Sequence, residues 1–107
     1  MLESPVLQIE VQSGDARAVT LALSGELDLS TCPTLRACVE QLGTMVRHIT
    51  LDLTDLRFID STGIALLLGF ERTLGSELKQ LTVRCPPGPV RRVLQMSGAD
   101  TRLTVIA

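Results

Sequence analysis

The chain is nearly devoid of aromatic residues: two Phe, no Tyr and no Trp among 107 residues. It therefore lacks the stacking rings that single-stranded nucleic acid needs. With a net charge of −2 and no basic run, it also lacks the field that draws in a phosphate backbone. There is one histidine, His48, and one lysine, Lys79. No Gly-rich loop carries a Lys followed by Ser or Thr, which excludes a phosphate-cradling P-loop. The three cysteines, Cys32, Cys38 and Cys85, share no zinc or redox spacing, so no metal and no cofactor is expected. Their odd number, with no leader-like N-terminus, implies reduced, unpaired thiols and a cytoplasmic location. The longest apolar run, Ile64 to Leu68, has five residues. A membrane-spanning helix needs about 20, so no membrane partner is expected.

What is present describes one domain over residues 1–107, with 45% hydrophobic and 21% charged residues. The core must be built from Leu, Val, Ile and Ala. Val6 to Val11 alternates with Leu7, Ile9 and Val11 on one face, which predicts a strand. Ser13-Gly14-Asp15 is a turn signal, and Val19, Leu21 and Leu23 alternate in a partner strand over Ala18 to Leu23, completing a hairpin. Gly25-Glu26-Leu27-Asp28 is expected to leave the sheet. Ser30 or Thr31 caps a helix with Pro33 in its first turn, an apolar stripe of Leu35, Cys38, Val39 and Leu42, and a stop at Gly43. Ile49, Leu51 and Leu53 mark a third strand, and Leu81, Val83 and Cys85 a fourth. After a stiff Pro86-Pro87-Gly88-Pro89 loop, Val90, Val93 and Leu94 predict a short helix closed by Ser97-Gly98. Leu103, Val105 and Ile106 form a last strand. The order β-β-α-β-α-β-α-β predicts an α/β domain whose mixed sheet has a parallel core and an N-terminal antiparallel hairpin, with helices packed on it.

The stretch LRFIDSTGIALLLGFERTLG, Leu56 to Gly75, organises the rest. An apolar strand exit meets the polar group Asp60-Ser61-Thr62, then Gly63, then an apolar helix. Asp60 or Ser61 can cap that helix, because its first backbone N–H groups have no partner within it. Such a triplet is a capping signal first. Its second property is that the hydroxyls of Ser61 and Thr62 stand where the helix dipole favours added negative charge, as a phosphate would bring. Ile64, Leu67, Leu68, Leu74 and Leu78 make one core-facing stripe, which leaves Leu66 and Phe70 on an exposed, sticky side. Catalysis finds little support. His48 precedes a strand, and Ser61 lacks the G-x-S-x-G elbow of a hydrolase, so a hydrolase reading is weak and the chain is expected not to be an enzyme.

The segment IDSTGIALLLGF resembles the phosphorylation segment of STAS-domain anti-sigma factor antagonists. Gly25-Glu26-Leu27-Asp28 is similar to that family's G-E-[IL]-D turn, Ile49 to Phe58 to its central strand, and Val90 to Gly98 to its late helix and closing S-G. The resemblance implies a cytoplasmic protein that binds an anti-sigma factor, itself a serine kinase, and so frees a sigma factor. It implies phosphorylation at Ser61, with Thr62 as a secondary acceptor, and resetting by a serine/threonine phosphatase. Glu26, Leu27, Asp28, Asp60, Thr62, Gly63, Leu66 and Phe70 are the implied partner-binding residues. A different reading of the same fold is a non-phosphorylated STAS subunit of a lipid-transport or stress-signalling assembly.

Overall fold

The computed structural model describes residues 6–107, so residues 1–5 of the single-domain reading lie outside it. Five strands form one sheet in the order β1-β2-β3-β4-β5. β1 (Gln8–Asp15) runs antiparallel to β2 (Ala18–Leu27). β3 (His48–Ile59), β4 (Gln80–Arg84) and β5 (Val105–Ile106) follow, each parallel to the strand before. α1 (Cys32–Glu40), α2 (Ser61–Ser76) and α3 (Pro89–Ser97) make the crossovers. Because each crossover steps to the next strand in the same direction, right-handed connections place all three helices on one face.

Burial follows that placement. Leu21, Leu23, Ile49, Leu51, Leu53, Leu81 and Val83 point to the helices and are nearly inaccessible. Their neighbours on the other face, among them Thr20, Thr50 and Thr82, are only half-buried. Each fully buried Leu, Ile or Val contributes roughly 1.5–3 kcal/mol, so the helix side of the sheet dominates stability.

Several elements run further than their pattern predicts. β1 passes through Ser13-Gly14 to Asp15, since an irregularity in register at Ser13/Asp15 absorbs the glycine. The turn is Ala16-Arg17, where the Arg17 N–H donates to Asp15 Oδ1 at 2.7 Å. β2 does not leave the sheet at Gly25 but continues to Leu27, and β3 continues to Ile59. Register shifts at Ala22/Ser24 and Gly25/Glu26 break the simple alternation yet leave Leu27, Leu56 and Ile59 facing inward. Gly25 makes this possible: its φ is +100°, and a Cβ there would sit 2.1 Å from the Val6 carbonyl oxygen. The β3–β4 pairing ends at Asp52–Arg84, whereas β2–β3 pairing runs on to Leu27–Ile59. A two-stranded ribbon thus projects past the rest of the sheet.

The core stripe of α2 is corrected by the structure. Gly63, Leu66, Leu67, Phe70 and Leu74 are buried, whereas Ile64 and Leu68 are only partly covered. Leu78 lies beyond the helix and is 86% exposed. An i, i+3, i+4, i+7, i+11 series from Gly63 keeps apolar or small residues throughout, while the series through Ile64 meets Glu71 and Gly75. α2 also packs against α1 as well as the sheet, so its wide apolar surface has two buried sides rather than one exposed one.

Candidate functional site

The projecting ribbon carries the site at its tip. The Asp60 N–H donates to the Leu27 carbonyl at 3.2 Å, which locks the end of β3 to the end of β2. Asp60 itself is extended, with φ −107° and ψ −176°, and its Oδ1 accepts the Gly63 N–H at 2.9 Å. One orphan donor of α2 is satisfied in this way, and Asp60 is the cap. Ser61, the first helical residue, is exposed. Neither its hydroxyl nor that of Thr62 is engaged in a hydrogen bond among the described residues. An uncommitted hydroxyl thus sits at the positive end of a 16-residue helix.

Gly63 is buried, and its missing side chain has an internal cause. A Cβ would lie 2.8 Å from the Leu27 carbonyl oxygen and 2.8 Å from Ile59 Cγ1. The start of α2 is therefore pressed onto the ribbon, and Gly63 shapes the site without offering a contact surface.

The Gly25-to-Asp28 segment lies alongside, as the resemblance implies. Glu26 pairs in register with Phe58 and is half-buried. Leu27 is fully buried and gives the site only its carbonyl. Asp28 Oδ1 accepts the Ser30 hydroxyl at 2.7 Å and the N–H groups of Ser30 and Thr31 at 3.0 and 3.1 Å. The Ser30 hydroxyl above all holds the Asp28 carboxyl below its ordinary range; burial opposes it, and the N–H groups of Thr31 and Ser30 and then the Thr31 hydroxyl add to the lowering. Thr31 completes the loop: its hydroxyl donates to the Glu26 carbonyl and accepts the Asp28 N–H, both at 2.9 Å. Below it Cys32 is buried, and its thiol is pushed up in pKa by burial and then by the Asp60 carboxylate, with Arg36 opposing.

Asp60, Ser61, Thr62, Glu26 and Asp28 therefore share one tip. Leu66 and Phe70 do not stand on an exposed side; each is 7% exposed, on the floor of a groove between α1 and α2 whose lining also includes Thr62. Two residues beside the site escape a reading by periodicity. Phe58 is 46% exposed although it lies in an apolar strand, and Leu29 is 74% exposed in the polar capping loop. The signals are Phe58 standing out of phase with Ile49, Leu51, Leu53 and Ile59, and a leucine lodged between Asp28 and Ser30. His48 starts β3 at the opposite end, about 36 Å from Ile59 at 3.3 Å per residue, so it cannot serve Ser61 as a base. Among the described residues no three His, Cys, Asp or Glu side chains are grouped to hold a metal.

The family described as "Mlab, STAS domain" matches residues 11–106. The chain belongs to the STAS-domain family. Among curated STAS relatives, an anti-sigma F factor antagonist of Paenibacillus polymyxa is 33% identical over 94 residues, covering 86% of this chain and 80% of that protein. The solved structure of the anti-sigma factor antagonist SpoIIAA in its unphosphorylated form superposes with a TM-score of 0.76 at 26% identity, over 94% of this chain and 89% of that one. The phosphorylated form of SpoIIAA, a Bacillus cell fate determinant, superposes with a TM-score of 0.70 at 25% identity, over 94% and 92%. This STAS domain thus shares its fold with a protein solved both without and with phosphate.

Proposed function

We propose that this STAS domain is an anti-sigma factor antagonist: it binds an anti-sigma factor that is also a serine kinase, frees a sigma factor, and is switched off by phosphate on Ser61. The observation that carries the reading is the exposed, uncommitted Ser61 hydroxyl at the N-terminus of α2, in a chain related to named antagonists. The protein acts by binding and not by catalysis. A serine/threonine phosphatase would reset it, in the cytoplasm; no described helix is long and apolar enough to cross a membrane.

The physical case rests on where a phosphate's charge matters. Phosphate on Ser61 brings about −1.5 to −2 charges. The helix N-terminus favours it by ~1 kcal/mol, and the Asp60 carboxylate opposes it by a similar amount in water. The fold is then nearly indifferent. A partner that must cover a dianion without an Arg to receive it loses several kcal/mol, and ~4 kcal/mol is already about a thousandfold in affinity. Binding changes much more than stability does. Exposed Phe58 and Leu29 supply apolar contact beside the hydroxyl.

The test is incubation with the candidate kinase and ATP, with mass-spectrometric mapping of phosphate, alongside binding in ADP. Ser61→Ala should bind and accept no phosphate there. Ser61→Asp should fold yet bind poorly, and Thr62→Ala should be phosphorylated nearly as wild type. Normal incorporation into Ser61→Ala would move the switch elsewhere, and full-strength binding by Ser61→Asp would sink the electrostatic account.

A further inference from the structure

A groove of about 670 Å³ lies open between α1 and α2. Its floor is apolar, with Val39 from α1 and Leu66, Phe70 and Leu74 from α2. Arg36 and Arg72 stand on it and form no ion pair among the described residues. Of the two acids in the lining, Glu77 is paired with Lys79 at 3.6 Å, which leaves Glu40 against the two guanidinium groups. The groove therefore carries an excess of positive charge in a chain whose net charge is −2.

Gly69 sits in the middle of α2, half-buried, and lines the groove. Glycine weakens a helix interior relative to alanine. A Cβ at Gly69 would meet nothing of the chain's packing within 4 Å, in contrast with Gly63 on the same helix. The fold does not call for this glycine. What a missing side chain does offer is a place where another backbone can come close.

We infer that the groove seats an α-helix of the anti-sigma kinase, apolar on one face with acidic residues beside it, crossing α2 at Gly69. This rests on the reading of Ser61 as phosphoacceptor: a kinase that reaches Ser61 must cover Thr62, and Thr62 lines the groove. Both walls are helices, so no free backbone edge invites a strand. An apolar floor of this shape takes side chains spaced i, i+3 or i+4, and i+7. The surplus of Arg36 and Arg72 over Glu40 selects acidic neighbours on the incoming helix.

Gly69→Ala separates the inference from a structural role, because it moves stability and binding in opposite directions. The kinase used is the one that transfers phosphate to Ser61 of the wild-type chain. Gly69→Ala should raise Tm by about 2–6 °C through restored helix propensity. Its binding to the kinase in ADP should fall by about fivefold, and that of Gly69→Leu by more than about tenfold. Arg36→Glu should also weaken binding. Binding within twofold of wild type for both Gly69 variants overturns the inference while leaving Ser61 as the acceptor. A fall in Tm for Gly69→Ala overturns it too, since the glycine would then belong to the fold. A wild-type dimer in sedimentation that Gly69→Leu dissolves would assign the groove to a second copy and exclude the kinase helix. Absence of phosphate on Ser61 of the wild-type chain with every candidate kinase would instead bring down the function proposed above.

Discussion

The backbone of single residues decides how the Ser61 site is held. At Gly63, even one methyl group would press into the Leu27 carbonyl and Ile59, both at 2.8 Å. Gly63→Ala should therefore cost about 1–3 kcal/mol by overpacking, read as a lower midpoint in urea. Leu78 presents the opposite case. It holds φ +60° where α2 ends, with the Lys79 N–H on the Leu74 carbonyl at 2.9 Å and the Leu78 N–H on the Gly75 carbonyl at 3.1 Å. Glycine is usual at such a position. Since the leucine side chain is almost fully exposed, relief of the left-handed strain should outweigh the unfolded chain's extra freedom, and Leu78→Gly should stabilise the protein by up to ~1 kcal/mol, read as a higher midpoint in urea. Asp28 adds a pH dependence. Its carboxyl titrates lower folded than its ordinary 3.8. Its contribution is therefore present above that value and is lost as pH falls through the lowered folded pKa. Asp28→Asn should narrow the stability difference between neutral and strongly acidic solution in parallel urea titrations.

At the scale of elements, α2 shows what a sequence reveals and what it conceals. The cap at Asp60 and the helix start at Ser61 were legible, because they rest on local chemistry: a carboxylate satisfying an N–H. That the Glu26–Asp28 segment lies beside them came only from the family resemblance, since it meets Asp60 across about 30 residues of chain. Which apolar side faces the core was not legible. The series through Leu66 and Phe70 and the series through Ile64 and Leu68 are both apolar over two turns. The packing of α1 decides between them, and that is information from far along the chain. The lengths of β2 and β3 were hidden for a related reason: register shifts at Gly25 let residues that break alternation remain in the sheet. Leu66→Asp and Phe70→Asp should each unfold the domain or cost several kcal/mol, since each buries an unpaired carboxylate. Near wild-type thermal stability for both would restore the exposed-face reading. Phe58→Ala should leave Tm nearly unchanged and weaken kinase binding, and an unaffected complex would remove Phe58 from the interface.

At the scale of the whole molecule, the described residues share one core, on one side of one sheet. Cys32 and Cys85 are buried in it and Cys38 lies at its margin, all three unpaired. Burial pushes all three thiols up in pKa, so a thiol reagent should react slowly with the native protein at neutral pH and with three groups once it unfolds. Two missing thiols in freshly purified material would count against a reducing compartment. The ribbon that projects past β4 has a consequence for timing. Its tip is fixed in advance by the Asp60-to-Leu27 bond and the seat of Gly63, so no loop has to order before the hydroxyl meets its partner. Encounter with a pre-ordered surface runs at rates set by diffusion and orientation, roughly 10⁵–10⁷ M⁻¹ s⁻¹, and related complexes differ mainly in how fast they come apart. On the proposed function, the two states of Ser61 should therefore differ chiefly in dwell time on the kinase: frequent visits in both, long ones only without phosphate.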